Sequence, residues 1–352
     1  MTRAWLLALA ACGSAADEVV AQPPATVVEP NDVAILYPLA ARLDEYLTPA
    51  AQGRGGALVP RDLYERAFGT ALQLGGTPAA PSLDGLRLVA IRFDPCFGAR
   101  CTSQIRLVFQ TLELVGDRAI ARDDAVHAFY EVERAELVAA VAAVAALRGA
   151  APLGELAPHP LLVAQGLGGP AAQAIARTVL RYAGAANLVK ITAFTSSGLG
   201  TAWNFFGADI ASGAASPVAI PTLPGVRLEA FFAGFVDGEL TGDPAFTPAN
   251  TALAPRDDVR LLANRERAAR AAPAERERAL EATRRIEDPA IHTPDTIDCV
   301  SCHVADTVRR TTHREINLHM LGYKGSTASI QTRTVREVTA TIASLQNRSI
   351  NQ

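Results

Sequence analysis

Residues 86–93 read LRLVAIRF, and residues 104–114 read QIRLVFQTLEL. Both runs are rich in branched and aromatic side chains, and both alternate in the period of two that puts successive side chains on opposite faces of a strand. The short stretch between them holds Pro95 and Gly98, so the pair predicts two neighbouring strands of an antiparallel hairpin. Outward from this hairpin the pattern continues. Residues 125–132 (AVHAFYEV) predict a third strand, which leads into a helix over 134–148. Its alanine-rich stretch 137–147, flanked by Glu133, Arg134 and Arg148, predicts a buried helix and not a membrane span. On the N-terminal side, Asp62 is placed to cap a short helix ending at Phe68.

Beyond the third strand, residues 150–160 (AAPLGELAPHP) predict a loop, with His159 between two prolines as a solvated residue. A helix is expected over 169–182, then a strand over 187–195 (NLVKITAFT). Residues 196–236 carry three apolar, aromatic runs broken by Gly, Pro and Ser, the pattern of further antiparallel sheet. Gly198-Leu199-Gly200 has no following Gly-Lys-Ser/Thr and is no phosphate loop. Trp203, Phe205 and Phe206 are expected in the sheet core, and His127 as a packed or strand-face residue. From 256 to 285 the chain turns to Arg and Glu at three- and four-residue spacing, two helices broken at Pro273 with a solvated, ion-paired face. The fold class is therefore α+β, an antiparallel-sheet main body with helices, followed by a small and mainly helical C-terminal segment.

With 352 residues and 49% hydrophobic content the chain can bury a large core. Its 33 basic and 36 acidic residues nearly balance, which gives no electrostatic case for nucleic acid.

Cys299-Val300-Ser301-Cys302-His303 has the Cys-x-x-Cys-His form that attaches a c-type haem. Two thiols can add across the two haem vinyl groups, and the adjacent imidazole then falls beneath the iron. Read from the residues alone, a Cys-x-x-Cys disulfide or dithiol preceding a His stays open. On these five residues the chain resembles the c-type cytochromes. The resemblance implies one covalent haem c held by Cys299 and Cys302, with His303 as the proximal ligand. It departs from common single-haem cytochromes c in two ways. Only 49 residues follow His303, and no Pro adjoins Met320, the methionine that follows the motif. The sixth iron position has the candidates His313 and Met320, then His292 and His319, or it stays open. A helix is expected over 304–311, and residues 335–347 read as an amphipathic helix able to pack beside the haem.

The front end reads MTRAWLLALAAC, one basic residue and then an apolar run too short to cross a bilayer permanently. Leu9-Ala10-Ala11-Cys12 looks like the lipobox of bacterial lipoproteins, which implies cleavage before Cys12 and lipidation of its thiol; an ordinary signal cut after Ala11 or Ala16 is the alternative. Export places the chain where thiols oxidise, and Cys96 and Cys101, five apart, are then expected as a short-loop disulfide. The expected organisation is a signal peptide (1–11), a flexible tether (12–31), an α+β body (32–255, with a division near 150–160 left open), a charged helical connector (256–287) and a haem-binding segment (288–352). The functional expectation is an envelope protein, lipid-anchored and facing periplasm or exterior, that carries electrons between redox partner proteins, a non-catalytic carrier or haem-binding role being favoured over an enzyme. The alternatives are a haem-based sensor or binding lipoprotein, a haem enzyme such as a peroxidase, and a structural envelope lipoprotein in which Cys299 and Cys302 form only a disulfide.

Overall fold

The computed structural model describes residues 27–68, 80–95, 102–149, 151–196, 202–217, 222–223, 226–227, 230–236, 239–242, 270–286, 288–289 and 321–346. Its strands are β1 (Ala34–Leu36), β2 (Gln52–Gly53), β3 (Gly56–Ala57), β4 (Leu86–Asp94), β5 (Gln104–Val115), β6 (Arg118–Ala121), β7 (Asp124–Glu131) and β8 (Leu188–Ser196). They continue as β9 (Ala202–Ala211), β10 (Ala214–Pro217), β11 (Thr222–Leu223), β12 (Val226–Arg227), β13 (Ala230–Val236), β14 (Glu239–Gly242), β15 (Leu321–Lys324) and β16 (Thr327–Ile330). The helices are α1 (Pro30–Val33), α2 (Arg61–Phe68), α3 (Arg134–Ala145), α4 (Pro160–Gln165), α5 (Pro170–Tyr182), α6 (Pro273–Ile286) and α7 (Thr332–Gln346).

One ten-stranded sheet organises them, in the order β1-β4-β5-β7-β8-β9-β13-β14, with β6 paired to β5 and β10 to β9. Its ladders are antiparallel. The α+β class with an antiparallel sheet and a helical C-terminal segment is what the alternation at 86–93 and 104–114 predicts. β4 and β5 are the predicted hairpin, closed by the pairing of Asp94 with Gln104. β7 pairs with β8 across the connection that holds α3, α4 and α5.

Register sorts the strand residues onto two unlike faces. One cross-strand row runs Ile35, Ile91, Leu107, Ala128, Ile191, Ala208, all buried and apolar. The neighbouring row on the opposite face runs Arg92, Arg106, Phe129, Lys190, Asp209, and the next runs Ala90, Val108, His127, Thr192, Gly207. One side of the sheet is thus an ordinary core, while the other carries charge and imidazole.

Helices form where apolar residues recur on one face. α5 starts at Pro170 and buries Ala171, Ala172, Ile175, Val179 and Tyr182. α3 opens with a capping box between Glu133 and Glu136 and buries Leu137, Ala140, Val141, Val144 and Ala145. The expectation of a buried helix holds for one face of α3, while Val138, Ala139, Ala142 and Ala143 face outward. Alanine is tolerated on either side of a helix, so its abundance does not report burial. Asp62 lies inside the first turn of α2 and not at its cap.

Candidate functional site

Cys299, Cys302 and His303 lie outside the described residues, as do His292, His313, His319, Met320, Cys12, Cys96, Cys101 and the helix expected over 304–311. The side chains of Trp203 and Phe205 are also outside; Phe206 is buried in the core, as expected. What the structure positions is the frame on both sides of the motif. Upstream, α6 is tied to α7 where Arg336 Nη1 donates to the Arg284 carbonyl at 3.2 Å. Downstream, β15, β16 and α7 lie on the charged face of the sheet.

Gln110 holds β15 there. Its Oε1 accepts from the Tyr323 amide at 2.7 Å, and its Nε2 donates to the Tyr323 carbonyl at 2.9 Å, so the side chain mimics a neighbouring strand. The same Nε2 lies 3.2 Å from the Asp124 carbonyl, and Tyr323 Oη donates to the Tyr37 carbonyl at 2.7 Å. At the turn, Gly325 adopts φ +60°, and its carbonyl accepts from the Ala121 amide at 2.9 Å. Burial raises the Asp124 carboxyl above the usual range, against the lowering effect of the Thr111 amide on its Oδ1.

α7 docks through charge. Glu337 pairs with Arg92, with Arg333 at 2.8 Å and with Arg106 at 3.8 Å, and Arg106 also pairs with Asp94. All five side chains are buried. At the far end of α7, Arg134 donates to the Ser344 carbonyl and hydroxyl at 3.1 and 3.0 Å. The helix is amphipathic, as expected, but its fully buried face is Arg333, Thr334, Glu337, Val338 and Thr341, with Ile342 and Leu345 partly buried and Val335 exposed. The reason lies on the sheet: Arg92 and Arg106 are buried and require an anion and further acceptors.

His127 stands on β7 in the same face, opposite Val108 on one side and Thr192 on the other. It is half-buried, with Phe129 two residues along its own strand and Phe194 on β8. Nothing in the sequence around His127 marks it; only the sheet register puts it on this face.

His159 corrects the expectation of a solvated loop residue. It is 1% exposed, its amide donates to the Leu36 carbonyl at 2.8 Å, and it opens α4. Neither ring nitrogen has a hydrogen-bond partner, and burial lowers the pKa to about 4. A second buried pair, Arg148 with Asp32 at 3.2 Å, fastens the N-terminal segment to the end of α3; Arg148 also donates to the Val27 carbonyl.

Among the described residues no three His, Cys, Asp or Glu side chains gather to hold a metal ion, and no helix is long and apolar enough to cross a membrane. No family model, no curated protein and no solved structure matches this chain.

Proposed function

We propose that this chain is an exported, lipid-anchored protein carrying one covalent haem c and serving in electron transfer between redox partner proteins of the cell envelope. The observation that carries the reading is Cys299-Val300-Ser301-Cys302-His303. The front-end motif at Cys12 supports it, because export and thioether attachment belong to the same compartment.

When bound, the haem supplies a one-electron couple; the protein sets its potential through axial ligand, burial and nearby charge. The thiols of Cys299 and Cys302 would hold the group through thioethers, and His303 would offer its imidazole to the iron. His313 and Met320 are the distal candidates in the same stretch.

The test is the full-length protein made in a host competent in cytochrome maturation. A haem band retained on a denaturing gel, with an absorption spectrum shifting on reduction, is the expected result. C299S/C302S loses the band. A colourless wild-type product, with a mass lacking tetrapyrrole, overturns the proposal and leaves the disulfide reading.

A further inference from the structure

We infer that residues 151–165 form an acid-released latch on the outer edge of β1, with the enclosed ring of His159 as its sensor. The inference stands apart from the haem proposal, since it uses only the body. β1 is the first strand of the sheet, paired to β4 on one side, and the latch lies along its other side. It is thinly held. Of the residues 151–165, Leu153, His159 and Leu162 are the buried ones. Gly149 and Gly166 flank the segment at φ +61° and +73°, each with open space where a side chain would stand. Glycine absorbs large changes of backbone angle, so both ends are built to swing.

The latch grips the N-terminal strap through polar bonds. The Leu36 carbonyl accepts from the His159 amide at 2.8 Å, within an isolated bridge between Leu36 and Pro158. Asn31 Nδ2 donates to the Glu155 carbonyl at 2.9 Å, and Asn31 Oδ1 accepts from the Ala157 amide at 3.4 Å. Glu29 Oε2 accepts from the Leu153 amide at 2.5 Å. A segment with few buried side chains and edge bonds of this kind opens before the sheet does.

His159 sits at the joint between the strap and α4. Its ring is 1% exposed, and neither nitrogen has a hydrogen-bond partner, so a proton taken up in the closed form has no acceptor to meet. The charged groups of the surrounding elements are engaged elsewhere or turned outward. Asp32 pairs with Arg148 at 3.2 Å, and Glu45, beside Gly168, pairs with Arg42 at 3.1 Å. Glu29 is bound to the Leu153 amide, while Glu155 in the latch and Arg177 and Arg181 on α5 are exposed. Tyr37, which follows β1, is held neutral by burial. Burial alone lowers the His159 pKa from 6.5 to about 4. A proton therefore favours the open latch, about tenfold per pH unit and up to about 300-fold across that window.

The experiment is amide hydrogen exchange, read by mass spectrometry, on full-length wild type, H159F and E29Q from pH 7 to 4, corrected for intrinsic exchange chemistry. Peptides covering 151–165 are compared with peptides covering β4 and β5. In wild type, 151–165 is expected to exchange faster than β4 and β5 at every pH, with little dependence on low urea. Acidification raises its exchange by up to about 300-fold. E29Q keeps an acceptor for the Leu153 amide without a titrating carboxyl and retains the rise. H159F removes the sensor and loses it.

Exchange over 151–165 that stays flat with pH overturns the inference, as does a rise that persists in H159F or vanishes in E29Q. Equal rates in 151–165 and the β4–β5 ladder also overturn it, because the body then opens as a whole. Should H159F not accumulate, wild type and E29Q decide: a local rise in both upholds the latch, and its absence from either overturns it.

Discussion

His159 costs stability in acid because its ring is enclosed. In the unfolded chain the imidazole titrates near 6.5, whereas in the folded protein burial holds it at about 4. Between these values the unfolded state binds the proton and the native state does not, so stability falls as pH drops below about 6.5 and levels off near 4. The loss over that window is on the order of 3 kcal/mol at the rate of about 1.4 kcal/mol per pH unit. H159F is expected to flatten this acid limb, measured as urea midpoints from pH 7 to 4; an unchanged slope would show that other groups set it. Its flanking prolines describe the backbone and say nothing about enclosure, which is why the residue reads as solvated in sequence. Glu337 presents the opposite case, a buried charge that is paired. E337Q leaves Arg92 and Arg333 without their counter-charge and is expected to destabilise by about 3–5 kcal/mol. A chemical denaturation curve with unchanged slope would measure it, and a loss below 1 kcal/mol would show that the cluster contributes little.

The β15–β16 hairpin depends on one side chain of the sheet. Q110A removes both bonds to the Tyr323 backbone, leaving a buried amide and carbonyl to find other partners, at about 1–3 kcal/mol. Hydrogen exchange at the Tyr323 amide is expected to accelerate well beyond that of the β4–β5 ladder; equal protection in both would show that the hairpin is held elsewhere. Long elements were legible in sequence: the strands around 86–93 and 104–114, the third strand, α5 and β8 emerge within a residue or two. β6 and β15–β16 were not, because each has four residues and is shaped by partners as much as by its own pattern. The burial of Arg92 was equally illegible. In LRLVAIRF it alternates as a solvent-facing residue would, and only α7, arriving some 240 residues later, encloses it. The Cys-x-x-Cys-His motif reads directly from five adjacent residues, whereas the placement of His127 on the charged face becomes visible only in the register.

At the scale of the molecule, the order of the chain matters. The sheet comes first, then the Cys-x-x-Cys-His motif at 299–303, and last the layer of β15, β16 and α7 that covers the sheet's charged face. Under the covalent-haem proposal, attachment requires only the two thiols and an accessible haem, so it is expected to be independent of that last layer. The buried arginines and Gln110 fix that layer to the face that carries His127. Ending the chain after Met320 separates the two. The shortened protein is expected to keep its stained haem band, while Arg92 and Arg106 lose Glu337 and become solvated, and the apolar residues under Leu321, Tyr323 and Val338 are exposed. Its melting temperature is expected to fall further than that of E337Q or Q110A alone, since both contacts and the apolar burial vanish together. A truncated protein that stains, melts like wild type and keeps the wild-type spectrum would show that the closing layer neither stabilises the sheet nor shapes the iron site. A truncated protein that stains but has lost the low-spin spectrum would tie the iron environment to this layer.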